Sequence, residues 1–127
     1  MMVVIFESEP LPGKWQAYLD AGAALHAQLG NADGFISIER FESLTTPGRL
    51  LALSFWRDEE AVRQWRNVPS HRRIQDAGRE NIFADYRLRV ASVVRDYTMR
   101  DRGQAPRDSQ AIFAAPPPKT FSTDTPI

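Results

Sequence analysis

Phe55-Trp56-Arg57-Asp58-Glu59-Glu60-Ala61-Val62-Arg63-Gln64-Trp65-Arg66-Asn67-Val68-Pro69-Ser70-His71 carries a strand into a helix and then interrupts that helix. The apolar run from Leu50 to Trp56 reads as a strand. Asp58 stands where a helix N-cap belongs. Glu59 and Glu60 fall in the first turn, where carboxylates favour the positive end of the helix dipole. The helix carries Val62 and Trp65 and then meets Pro69, which lacks an N–H and clashes with the preceding turn. A kink or restart is expected there, with a second helical piece running through Ile74 towards Gly78. The stretch also holds one of the chain's two histidines and two of its three tryptophans.

Outward towards the N-terminus, Thr45-Thr46-Pro47-Gly48 is a turn signal. It joins Leu50–Trp56 to a preceding strand, Phe35 to Phe41, as a hairpin. Simple alternation in that strand puts Phe35, Ser37, Glu39 and Phe41 on one face and Ile36, Ile38 and Arg40 on the other. Before it, Trp15, Tyr18, Leu19, Gly22, Leu25 and Leu29 recur at three and four, the stripe of an amphipathic helix. Gly30 is placed to end that helix in a left-handed conformation, and Trp15 is expected in the core. Val3-Val4-Ile5-Phe6, followed by Pro10, Pro12 and Gly13, reads as the first strand.

Towards the C-terminus, the alternation from Tyr86 to Tyr97 predicts a long final strand. The order is β-α-β-β-α-β, an α+β ferredoxin-like domain over residues 1–100. Two helices on one face of a four-stranded sheet leave the other face bare, so a homodimer packed sheet on sheet is expected. Residues 101–127 hold five of the nine prolines and no strong period, a tail composition. Ile112, Phe113 and Phe121 are its candidate anchors, and Pro116, Pro117 and Pro118 restrict it. Such a tail is expected to lie along the dimer surface with Phe113 or Phe121 buried.

Composition narrows the chemistry. Among 127 residues, sixteen basic side chains balance sixteen acidic ones, which gives no reason to expect nucleic acid or an anionic membrane as partner. There is no cysteine, which excludes disulfides, a thiolate nucleophile, iron–sulfur ligation and cysteine-based zinc sites. No apolar run approaches the ~18 residues needed to span a bilayer, and the start lacks a basic region, so a cytoplasmic protein is expected. No glycine-rich loop marks a nucleotide site. Ser70, His71 and Asp76 do not make a triad, because adjacent side chains on a helix diverge.

His71, Trp65 and Trp56 remain as candidates. In a continuous helix His71 would lie three residues from both Val68 and Ile74, on the buried face, where a histidine can be a packed core residue. Its alternative role is as a single nitrogen ligand, enough for five-coordinate haem but not for zinc. Trp65 and Trp56 either build the core or form the wall of a flat aromatic pocket. Arg66 either solvates the surface or holds an anionic group such as a propionate or phenolate.

These residues resemble the antibiotic biosynthesis monooxygenase superfamily: the strand order, Leu50–Trp56 running into Asp58-Glu59-Glu60-Ala61, the Trp65…His71 segment and the long closing strand. The resemblance covers about residues 2–98 and is similar, more narrowly, to a bacterial subgroup that includes haem-degrading enzymes. It implies a dimeric α+β barrel with a pocket between sheet and helices in each subunit. It further implies an oxygenase for an aromatic or polycyclic substrate that uses no bound flavin or metal. Its alternatives are a haem-degrading monooxygenase with haem bound by His71, and a ligand-binding module without turnover. By this resemblance His71 and Trp65 are the catalytic candidates; Trp56 and Arg66, from their own chemistry, and Phe6 on the first strand are the substrate-binding candidates. In haem-degrading relatives a first-strand asparagine completes the site, and here the first strand offers Phe6, Glu7 and Ser8. The six-residue spacing from Trp65 to His71 is also shorter than in those relatives.

Overall fold

A computed structural model describes residues 1–112, the Ser70 side chain excepted; Phe113, Phe121 and Pro116 to Pro118 lie outside the described residues. The order is β1 (Met2–Pro10), α1 (Trp15–Leu29), β2 (Phe35–Glu42), β3 (Leu50–Trp56), α2 (Glu59–Arg66), α3 (Pro69–Asn81), β4 (Phe83–Ser92) and α4 (Arg107–Ile112). The strands form one antiparallel sheet in the order β2-β3-β1-β4. That is the ferredoxin-like α+β arrangement expected from the sequence. Residues Met1–Ser92 form one compact unit and a second begins at Val93.

Local chemistry sets the hairpin. Gly48 takes a positive φ of 83°, which only glycine adopts without strain, and the Ser43 N–H donates to Arg49 O at 2.9 Å to close the β2–β3 turn. Strand alternation then divides the sheet. Met2, Val4, Ile38 and Trp56 face the helices and pack with Leu29 of α1 and with Ala61 and Val62 of α2. Tyr18, Leu50 and Ile82 form a second buried group with Phe83 beside it. On the opposite side the register aligns Val3 with Phe55, Ile5 with Leu53 and Glu7 with Leu51.

Four expectations change. The β2 register shifts between Phe35 and Ser37, so Phe35 joins Ile38 against the helix-side core rather than sharing a face with Ser37 and Phe41. A bulge adds one residue to one strand, and every side chain before it changes face. Gly30 is right-handed, at φ −60° and ψ −21°. The helix end is instead tightened by bonds from the Asn31 N–H to Gln28 O and the Ala32 N–H to Leu29 O. The reversal comes at Gly34, with φ 80°. Trp15 opens α1 with neighbours on one side only and is 43% exposed. Finally, β4 runs Phe83–Ser92 rather than Tyr86 to Tyr97, because its ladder with β1 ends at the Met2–Ser92 pair. Tyr97 belongs to the second unit, where the Arg102 guanidinium lies 5.1 Å from its ring.

Candidate active site

Two local devices fix α2. At its start the Asp58 carboxylate accepts from the Ala61 N–H at 2.8 Å, so the predicted cap forms. The Arg57 guanidinium donates to both Asp33 oxygens, at 3.1 and 3.0 Å, and to Asp58 at 3.0 Å. The Arg57 N–H also donates to Gly34 O at 2.8 Å. The turn after α1 is thereby tied to the start of α2. Hydrogen bonding and charge from Arg57 hold the Asp33 carboxyl below the usual carboxylate range, and Asp58 is held down first by the Ala61 N–H and then by Arg57.

At the other end the helix breaks as predicted. Val68 is extended, at φ −62° and ψ 126°, and Pro69 occupies the first turn of α3, where its missing N–H costs nothing. The break creates the site. In a continuous helix, six residues at about 100° each would put Trp65 and His71 on different faces. Here the chain turns back, and the two rings stack with centroids 4.9 Å apart and 24° between planes.

The stack determines the histidine's chemistry. His71 Nδ1 lies 3.2 Å from the Trp65 backbone oxygen. A carbonyl can only accept, so Nδ1 carries the proton and, in the neutral ring, Nε2 carries the lone pair. Burial pushes the His71 pKa below its ordinary 6.5, against the opposing effect of the Trp65 and Arg66 backbone acceptors. His71 is therefore a neutral base at pH 7, held in one tautomer by the end of α2.

Trp56 continues the aromatic row. Its ring centroid lies 6.2 Å from that of Trp65 and 5.3 Å from that of Phe35. Trp56 is 2% exposed and its Nε1–H donates to Ser54 Oγ at 2.9 Å, so it is a satisfied core residue that backs Trp65. Phe6 lies elsewhere on the helix side of the sheet, with Phe83 at 5.6 Å and Tyr86 at 5.5 Å. Arg66 is exposed, and its link to His71 runs through its backbone rather than its guanidinium. Of the five sequence candidates, the structure thus brings together His71, Trp65 and Trp56.

Beside this row a cleft of about 340 Å³ opens between the end of α1 and α2. Trp65, Ala61, Gln64 and Val68 line one wall, and Ala27, Gln28, Asn31, Ala32 and Asp33 complete it. Sequence reasoning missed this cleft. Its one available signal was the small residue at each of Ala27, Ala32 and Ala61, which reads equally well as ordinary helix composition. Among the described residues no three histidine or carboxylate side chains come together to hold a metal, and no helix is long and apolar enough to cross a membrane.

Comparison with known proteins adds three findings. The model of the family described as antibiotic biosynthesis monooxygenase matches residues 1–77. A curated relative from Pyricularia oryzae, named as a jasmonate monooxygenase, is 44% identical over 93 residues, which cover 73% of this chain. The same alignment spans only 43% of that relative's length. Among solved structures, a Mycobacterium tuberculosis protein superposes with a TM-score of 0.68 at 20% identity, over 76% of this chain and 98% of that one. A conserved protein from Methanosarcina mazei gives 0.65 at 19% identity, over 71% and 89%. At such identities these two structures speak for the fold alone.

Proposed function

The chain belongs to the antibiotic biosynthesis monooxygenase family, and from that premise we propose that it is a monooxygenase in which neutral His71 accepts a proton from the substrate beside Trp65. The observation carrying this reading is the His71 tautomer. With Nδ1–H donated to the Trp65 carbonyl, Nε2 carries the basic lone pair, next to a flat aromatic wall. A phenol or enol losing a proton there becomes electron-rich enough to react with oxygen. Aromatic and polycyclic phenols fit this chemistry. The 44% identical relative makes jasmonate, an enolisable cyclopentanone acid, the other substrate to test.

Electron balance separates the two substrates. Oxidising a CH2 to a carbonyl with one O2 yields one water and needs no other reductant. Hydroxylating a C–H yields one water but needs two further electrons and two protons. The assay therefore runs under labelled oxygen with 1,8-dihydroxyanthrone or jasmonic acid, each with and without ascorbate. A product carrying one labelled oxygen is expected, with His71→Ala slower by about a hundredfold or more. Absence of labelled product from both compounds overturns the oxygenase reading.

The same tautomer favours a second reading, haem binding, because a single axial imidazole presents its lone pair in this way. Haem would supply iron-centred oxygen chemistry, and His71 would be its protein ligand. Hemin titration should then give a Soret band that His71→Ala shifts or abolishes. Identical binding by both proteins removes His71 as ligand.

A further inference from the structure

We propose that the cleft between α1 and α2 is the specificity site and that it selects an uncharged carbonyl- or hydroxyl-bearing molecule over the corresponding carboxylate. This deepens the oxygenase reading and rests on it only in calling the bound molecule a substrate. The cleft's volume, about 340 Å³, lies at the small-ligand end of known binding sites. Ala27, Ala32 and Ala61 keep it open, since longer side chains at these positions would occupy it. Trp65 lines the cleft and also stacks on His71, so a molecule seated there lies against the ring that supports the basic nitrogen.

The polar lining sets the charge preference. Among the described residues lining the cleft there is no lysine or arginine. Its polar groups are the amides of Gln28, Asn31 and Gln64 and the carboxylate of Asp33. Asp33 is the only charge, and Arg57, which neutralises it, is already committed to Asp33 and Asp58. A ligand carboxylate entering here would give up water and find no uncommitted cation in return, because the one guanidinium nearby is already paired with Asp33 and Asp58. A ketone, ester or hydroxyl group loses less solvation and meets the Asn31 and Gln64 amides, which both donate and accept. The cleft therefore favours the neutral member of any acid–ester pair.

The test uses methyl jasmonate and jasmonic acid as matched probes, with binding to the full chain followed by tryptophan fluorescence under anaerobic conditions. The ester is expected to bind at least tenfold tighter than the acid. Ala27→Leu, an exposed helix position that retains a good helix former, should weaken ester binding about tenfold by filling the cleft. Asn31→Lys, which adds a cation at the wall, should narrow or reverse the preference for the ester. Equal or tighter binding of the acid by the unmodified protein overturns the proposal. So does undetectable binding of both probes, or an Ala27→Leu protein that binds the ester unchanged. Because no oxygen is present, tight ester binding without later turnover would sink the oxygenase reading and leave the binding site standing.

Discussion

At the Trp65–His71 stack, burial and hydrogen bonding act in opposite directions on one ring, and burial is the larger effect. The consequence for stability has a definite sign. Above pH 6.5 the histidine is neutral whether the chain is folded or not, and the contribution is complete. As pH falls through 6.5 the unfolded chain binds the proton first, and stability drops until the lower folded pKa is reached. The urea midpoint should fall as the pH is lowered from neutral through 6.5, and His71→Gln should flatten that slope; an unchanged slope would place His71 in solvent. Gly34 offers a second single-residue test. Its φ is 80°, and an added Cβ would lie 2.5 Å from the Ala61 Cβ, which is 1% exposed and cannot retreat. Gly34→Ala should therefore cost about 2 kcal/mol or more in urea unfolding. Gly22→Ala is the contrast. Its Cβ would meet the Arg40 guanidinium, which lies 5.8 Å from the Tyr18 ring centroid but is the far end of a flexible exposed side chain that can shift. The helix-propensity gain of about 0.5–1 kcal/mol offsets that displacement, leaving stability nearly unchanged.

Among the elements, α2 depends most visibly on its ends. Asp58 joins the cap to the Arg57 pairing, and the two contributions separate by substitution. Asp58→Asn keeps an oxygen for the Ala61 N–H, whereas Asp58→Ala removes cap and ion pair together. A melting temperature lower by a few degrees is expected for the alanine variant, with a smaller loss for asparagine; equal losses would assign the stabilisation to Arg57 alone. This cap, the restart at Pro69 and the Gly48 turn were all legible in the sequence, because each is decided within a few neighbouring residues. The β2 bulge and the true limits of β4 were not, since both depend on pairing with a distant strand. The site shows the same divide. Trp65 and His71 are six residues apart and were recognisable as a pair, although it was the helix break that allowed them to stack. Phe6 was proposed from its place on the first strand and Arg66 for its charge, and tertiary placement sent the one to another cluster and the other to solvent. The cleft joins α1 to α2 across thirty and more residues, and no local pattern announces such a meeting.

For the whole molecule, the side of the sheet turned away from α1 and α2 poses the largest question. Val3, Ile5, Leu51, Leu53 and Phe55 share that side by register, and Phe41 beside them is 42% exposed. A second copy packed against this face would cover it, and a stable dimer needs about 800 Å² from each partner. Light scattering should report twice the chain mass at micromolar concentration, and Leu53→Lys should return the monomer. A monomer from the unmodified protein would end the dimer proposal. The sheet order also carries a kinetic consequence. β1 lies between β3 and β4, so the strand made early in the chain waits for both of its neighbours. The β2–β3 hairpin can close on its own within microseconds. At ribosomal rates of 5–20 residues per second, β1 must wait about 2–10 s before Leu50–Trp56 has even been synthesised. Met2-Val3-Val4-Ile5-Phe6 is thus a sticky, unpaired segment until β3 has been made, and a chaperone that shields nascent apolar strands would have a clear target there.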